Sequence, residues 1–343
     1  MTSSPSFERI DYQLRYNKHI ERKMIFDLLS RAHQHVGLAN HRYLGLGSIW
    51  FADFRLAHRM LGMHNMVSME REPYADRARF NSPYHSIDVK GGDSSTTLDE
   101  LDWTTPTVSW LDYDGALTPS VSSDIRKVLE KSPVDSILIV TVNAARGTYR
   151  PRQVPAQRKR SETALGQIES MLMQGVVSQR FEPTESGASH GDVREADFPE
   201  FLAEAILAFM MHVAGNAGHT IVDESGNAVP VVFLPLFNFC HKDNADMVTV
   251  GGALIPLGSS VWSEGVAADV LVDSVNALPR HLRLDLVPLT LKEKLVLDSC
   301  LPATETGNFV ERAKACGIRI DDDELVKYWQ HYRHFPVFFE API

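Results

Sequence analysis

Apolar residues along the first part of the chain change their spacing several times, and each change marks an element. Between Asn17 and Val36 they recur at helical intervals, as Ile20, Met24, Ile25, Leu28 and Leu29 with charged residues between them, which predicts a helix. The short apolar run from His41 to Gly47 predicts a strand ending in a glycine turn, and Phe51 to Leu61 returns to helical spacing. The alternation continues with a strand at Asn65 to Met69, helical spacing at Ala75 to Phe80, and strands at His85 to Val89 and Thr107 to Leu111. A helix at Ser120 to Lys131 follows, opened by a serine able to cap it, and then the run SILIVTV within Asp135 to Asn143. Five strands alternating with four helices over about 105 residues imply a parallel sheet with right-handed crossovers.

Regularity stops between Ala145 and Ala196. The stretch RGTYRPRQVPAQRKR holds six basic residues (Arg146, Arg150, Arg152, Arg158, Lys159 and Arg160) and no acid, and a helix over Ser161 to Met173 and the polar EPTESGASHGD follow it. Phe198 to Val213 predicts a strongly apolar helix on which His212 is expected as a core residue. Val229 to Phe239 and Met247 to Pro256 predict a hairpin around the polar loop His241 to Asp246, with His241 and Lys242 expected in solvent or at a site rim. Helices near Leu291 to Asp298, Gly307 to Cys316 and Asp323 to His331 lead to the aromatic run Tyr332 to Phe339, which can pack on its own domain or on a second copy of the chain. The expected organisation is an N-terminal helical segment (1–40), a first α/β half (41–144), a basic insertion (145–196), a second half of the sheet ending in the hairpin (197–262) and a helical C-terminal extension (263–343). The fold class is α/β, a doubly wound and mostly parallel sheet with an antiparallel last strand.

Composition narrows the functional classes. At 343 residues with 44% hydrophobic positions, the chain is long enough for more than one core. Its 34 Lys and Arg against 44 Asp and Glu give a net charge of -10, which argues against coating nucleic acid through the whole surface and leaves only the Arg146 to Arg160 stretch as a basic contact, a reading not favoured. Three cysteines without a CxxC support neither a disulfide framework nor a structural zinc site and point to the cytoplasm. No signal-peptide core and no run of about 20 apolar residues is seen, so no membrane partner is expected.

Ligands of open parallel sheets sit at the carboxyl ends of the strands. The first strand ends in Tyr43-Leu44-Gly45-Leu46-Gly47-Ser48, where glycine lets a ligand approach backbone N–H groups and the next helix adds a partial positive end. A nucleotide-like ligand or a plain tight turn fits this, and Trp50 stands where a third glycine of GxGxxG would be. Glu70, with Arg71 beside it, ends the second strand at the distance at which an acid bonds ribose hydroxyls, the alternative being a solvated glutamate. Gly92-Asp93-Ser94 follows the third strand, where Asp93 can accept from an adenine amino group or cap the next helix. After the fourth strand, Asp112 and Asp114 flank Tyr113, a set able to bind a sulfonium or amine, take a proton from a nucleophile, or hold a divalent ion with Asn143. Further ligands are not evident, and no metal is expected.

In this order the motifs resemble the class I S-adenosylmethionine-dependent methyltransferases, with their Rossmann-like sheet. More narrowly, YLGLGSIWFADF, MVSMERE, RFNSPY, VSWLDYDGAL and ILIVTVNA, with FNFCHKDNADMVTVGGAL, PLTLKEKLVLDSCLP and HFPVFFE further on, are similar to a bacterial O-methyltransferase family whose chemistry is inferred from its fold. The resemblance runs from about Arg42 onward. It implies S-adenosyl-L-methionine as cofactor, with Gly45, Gly47 and Ser48 on its methionine side, Glu70 at the ribose, Asp93 at the adenine and Asp112 near the methyl group, and with Tyr43, Arg71 and Ser94 among the cofactor-binding residues. Asp112, Asp114 and Tyr113 are then the catalytic candidates and the acceptor is unknown. The alternatives are a degenerate fold that binds an adenosine ligand or a partner protein, in a bacterial defence setting, and, ranked lower, a nicotinamide oxidoreductase whose strands would stay parallel after the fifth.

Overall fold

The computed structural model describes residues 16–149, 163–176, 181, 192–242, 245–267, 272–273 and 278–336. Helix α1 (Tyr16–Val36) is followed by β1 (Arg42–Leu46), α2 (Ala52–Leu61), β2 (Asn65–Glu70), α3 (Glu72–Asn81), β3 (Ile87–Gly91), α4 (Ser94–Glu100), β4 (Thr107–Ala116), α5 (Pro119–Lys131) and β5 (Ile137–Asn143). Next come α6 (Ala164–Met171), α7 (Phe198–Asn216), β6 (Thr220–Val222), β7 (Ala228–Lys242), β8 (Asp246–Pro256), the short pair β9 (Val272–Asp273) and β10 (Leu278–Pro279), and β11 (Leu282–Leu284). Helices α8 (Leu291–Ser299), α9 (Thr306–Ala315) and α10 (Asp322–His331) complete the order.

The sheet runs β3-β2-β1-β4-β5-β8-β7-β11, with β6 pairing β7. Strands β1 to β5 are mutually parallel, and β8 is antiparallel to both β5 and β7, which is the expected hairpin. That reversal is the opposite of what an oxidoreductase with continued parallel strands requires. Beyond the hairpin the structure adds β11, parallel to β7. Two glycines let β8 thread between its neighbours: a Cβ on Gly251 would lie 2.2 Å from the Leu138 carbonyl oxygen, and one on Gly252 2.1 Å from that of Leu234.

Side chains alternate between the two faces of the sheet, and each face carries its own core. Leu111, Val140 and Val250 meet Ile125 of α5, Ile168 of α6 and the Phe201 and Ile206 side of α7. Helix α7 is long and apolar enough to cross a membrane by length and composition, but it packs in this core. On the other face Tyr43, Trp110 and Ile139 meet Phe26 of α1, Phe54 of α2 and Trp262. A third cluster, including Leu284, Leu297, Phe309, Leu325 and Phe335, closes on Ile20 of α1. Helix α1 is thus held between the sheet and the C-terminal helices.

Several expectations need correction. Helix α5 is capped by Thr118, whose hydroxyl accepts from the Val121 N–H, and not by Ser120. Helix α4 is expected only as the helix that Asp93 could cap, without bounds, because SSTTLDE carries no apolar periodicity and buries only Thr97 and Leu98. His212 is exposed and paired with Asn216, not in the core, because it lies on the outer side of α7. Arg146 is buried and ion-paired with Asp192 at 2.8 Å, so it anchors the insertion and does not belong to a solvated basic arm. Arg150, Arg152, Arg158, Lys159 and Arg160 lie outside the described residues, as do Phe338 and Phe339. Phe335 of the aromatic run is buried within the chain, edge-on to Tyr16 and Tyr328.

Candidate functional site

The turn after β1 is built against the end of β2. The Gly47 N–H donates to the Met69 carbonyl at 2.6 Å, and a Cβ on Gly47 would sit 2.4 Å from Ser68 Oγ and 3.1 Å from Glu70 Oε2. Only glycine brings the turn this near the acid. The Ser48 hydroxyl accepts from the Trp50 N–H at 3.1 Å, and Phe51 opens α2 with a φ of 48°, an unusual conformation for a bulky residue next to a candidate site. Tyr43 is a correction: its ring is fully buried between Phe26 and Phe54 and its hydroxyl donates to Asp53 at 2.7 Å, so the side chain lies in the core beneath the turn and does not face a ligand. Burial and the Asp53 carboxylate raise the Tyr43 hydroxyl well above its ordinary pKa.

Glu70 is 7% exposed. Its Oε1 accepts from the Arg71 N–H at 3.0 Å, whereas Oε2 is buried and has no hydrogen-bond partner among the described residues. Burial pushes its pKa up to about 7, against the pull of the Arg71 N–H and side chain. Arg71 itself is exposed. The Gly92 N–H donates to the Glu70 carbonyl, tying the ends of β2 and β3 together. Asp93 stands at the N-cap position of α4 but makes no side-chain cap bond, and its carboxylate is exposed. Ser94 donates instead to Asp124 of α5 at 2.7 Å.

At the end of β4 the pairing with β5 shifts between Asp112 and Ala116, so that Tyr113, Asp114 and Gly115 bulge out of the ladder. Strand alternation sends Asp112 and Tyr113 to opposite faces. The Tyr113 hydroxyl donates to Asp124 at 2.8 Å, and burial together with Asp124 raises its pKa far above the ordinary value. Tyr113 is therefore fixed as a wall on the α5 side and does not join Asp112 as a proton-transfer pair. Asp114 is exposed. Asn143 Oδ1 accepts from the Ala145 N–H, and no cluster of metal ligands occurs among the described residues.

Asp112 faces α1. Its Oδ1 accepts from Lys18 Nζ at 3.0 Å, while Oδ2 has no partner among the described residues and the side chain is 36% exposed. Lys18 is buried and also reaches Thr141 Oγ1 at 3.4 Å and Glu21 at 3.3 Å, over the Trp110 ring. Glu21, with no exposure, bonds His241 at 3.0 Å. His241 is consequently not in solvent or at a rim but buried under α1. Burial opposes the charges on Lys18 and Glu21, and their partners outweigh it: Lys18 titrates above its ordinary range, and Glu21 is held down to about 2 by His241 and Lys18.

A family model described as "Putative O-methyltransferase" matches residues 10–343. The chain belongs to this family. Among solved structures it is similar to the O-methyltransferase TomG from Streptomyces achromogenes in complex with SAM, at 11% identity over 73% of this chain and 93% of that one, with a TM-score of 0.34. A structure named as a putative O-methyltransferase from Klebsiella pneumoniae is 12% identical over 72% of this chain and 93% of that one, with a TM-score of 0.30. PigF with SAH is 12% identical over 69% of this chain, with a TM-score of 0.32. The chain spans 57% of the length of PigF and 56% of that of the mitomycin 7-O-methyltransferase MmcR. No curated protein matches it.

In this family member Lys18, Glu21, Asp53 and Asp124 escape the strand-end motifs, and His241 enters only as a residue of the hairpin loop. Lys18, Glu21 and Arg22 share one face of α1 with Ile25, Phe26 and Leu29, so charges embedded in an apolar stripe were the available signal.

Proposed function

We propose that the protein is an S-adenosylmethionine-dependent methyltransferase acting on an oxygen of an acceptor. The observation that carries this reading is Glu70 Oε2, a buried acceptor without a donor, set against the Gly47 turn at the carboxyl edge of a parallel sheet. Such an atom left unpaired costs about 1–3 kcal/mol, and a ligand hydroxyl supplies the missing donor. The chemistry of the donor set fits the cofactor: Glu70 accepts from ribose hydroxyls, the exposed Asp93 is available to an adenine amino group, and Gly45, Gly47 and Ser48 form the turn beside the methionine portion.

When bound, the cofactor supplies a methyl group on a sulfonium. The chain's own task is then mainly alignment of donor and nucleophile. Asp112, with one oxygen on Lys18 and the other open, orients the acceptor side. Asp114 lies on the exposed bulge as the alternative acid, and Tyr113 closes the opposite wall. The free thiols Cys240, Cys300 and Cys316 support a reducing, cytoplasmic setting.

Calorimetric titration with S-adenosylmethionine, S-adenosylhomocysteine and NAD tests this. Binding of the first two, absent in Glu70→Ala and absent for NAD, is expected. A folded wild-type protein that binds neither sulfur compound refutes the reading.

A further inference from the structure

The pairing of Asp112 with Lys18 gives the crevice a charge balance that the strand-end motifs alone do not. Asp112 is the partly exposed member, while Lys18 is 5% exposed and Glu21 has no exposure at all. Around the pair stand Glu21 and Arg22 of α1, Asp53 of α2, Tyr43 of β1, Thr141 of β5 and His241 of β7. Lys18 belongs to no strand-end motif. It reaches the site only because α1 is clamped by Ile20 to the C-terminal helices and by Asn17, which donates to the Lys242 carbonyl and accepts from the Leu286 N–H.

We propose that Lys18 is a positioning residue which, through its ion pair with Asp112, sets how strongly this crevice distinguishes a cationic sulfonium from a neutral thioether. The inference rests on the S-adenosylmethionine reading above. A methyltransferase must bind a cation and then release a product that has lost that charge. A crevice with Asp112 uncompensated favours the cation; one with Lys18 alone disfavours it; the pair brings the two ligands toward equal footing. The ammonium donates to Asp112 Oδ1 and Thr141 Oγ1 and lies 3.3 Å from Glu21 Oε2, so it is held beneath Asp112 and acts through that carboxylate.

The test is the ratio of dissociation constants for S-adenosylhomocysteine and S-adenosylmethionine, measured by calorimetry on the full chain. Lys18→Met is expected to move the ratio toward S-adenosylmethionine by roughly five- to thirtyfold, the size expected when one unit charge is removed from a partly screened crevice. Asp112→Asn is expected to move it the opposite way, and Lys18→Arg to stay within about twofold of wild type. Asp112 is partly exposed, so its variant decides the matter even where Lys18→Met does not fold. A merely structural lysine would weaken both ligands alike. Ratios unchanged in Lys18→Met and Asp112→Asn, with wild-type binding intact, overturn this inference and leave the cofactor reading standing. Wild-type protein that binds neither ligand overturns both.

Discussion

Glu70→Gln is expected to stabilise the ligand-free protein while weakening cofactor binding. The carboxyl of Glu70 titrates near 4.5 when unfolded and at about 7 when folded, because burial disfavours its charged form. The folded state therefore binds more protons than the unfolded state between these values, and the wild-type protein loses stability as pH rises through that window. The full loss is about 3 kcal/mol, of which about 1.4 is present at pH 5.5 and nearly all by pH 8.5. Glutamine keeps the shape and has no charge to desolvate, so the variant should gain about 2 kcal/mol on wild type between those two pH values. For a chain of this length that corresponds to about 3 °C in melting temperature. The assay is thermal unfolding of both proteins without ligand from pH 5.5 to 8.5, beside a titration with S-adenosylmethionine at pH 8. Melting curves that stay a constant distance apart across the range would refute the argument that Glu70 is a buried, unpaired acid.

Three other outcomes are expected. Gly47→Ala should destabilise by about 1–2 kcal/mol and weaken cofactor binding, since its Cβ meets Ser68 Oγ at 2.4 Å; Ser68→Ala in the same chain should recover part of both, as urea unfolding and calorimetry would show. Asp192→Ala leaves buried Arg146, among the described residues, with only its 3.6 Å contact to the exposed Glu195 and removes the acceptor of the Ala164, Leu165 and Val193 N–H groups, so a loss of about 2–4 kcal/mol and faster proteolysis near α6 are predicted. Gly251→Ala places a methyl 2.2 Å from a backbone oxygen that cannot rotate away, and the variant should be recovered as aggregate; soluble protein with a wild-type melting temperature would contradict the close packing of β5 against β8.

The strands β1 to β4 are legible because each is a short run stopped by glycine or an acid, β5 because SILIVTV is continuously β-rich up to Asn143, and the stops of β2 to β4 mark Glu70, Asp93 and Asp112. What stayed hidden depends on distance along the chain. Lys18 meets Asp112 across 94 positions and Glu21 meets His241 across 220, and no local spacing reports either contact. Tyr43 shows the opposite failure: its place at the head of the glycine turn suggests a ligand contact, yet strand alternation turns its ring inward. His241 looked like a loop residue because β7 continues to Lys242, two residues past the last apolar side chain.

The clamped position of α1 also orders events during synthesis. Lys18, Glu21 and Arg22 precede every strand, whereas His241, Leu284 and Phe335, against which α1 also closes, follow only after the whole first half of the sheet. The first half of the sheet already offers α1 the Tyr43 and Trp110 rings and Asp112, whereas its second set of contacts waits for β7 and the C-terminal helices. A product truncated before α8 would keep α1 on the sheet through Phe26, Lys18 and Glu21 but lose the helices that close on Ile20.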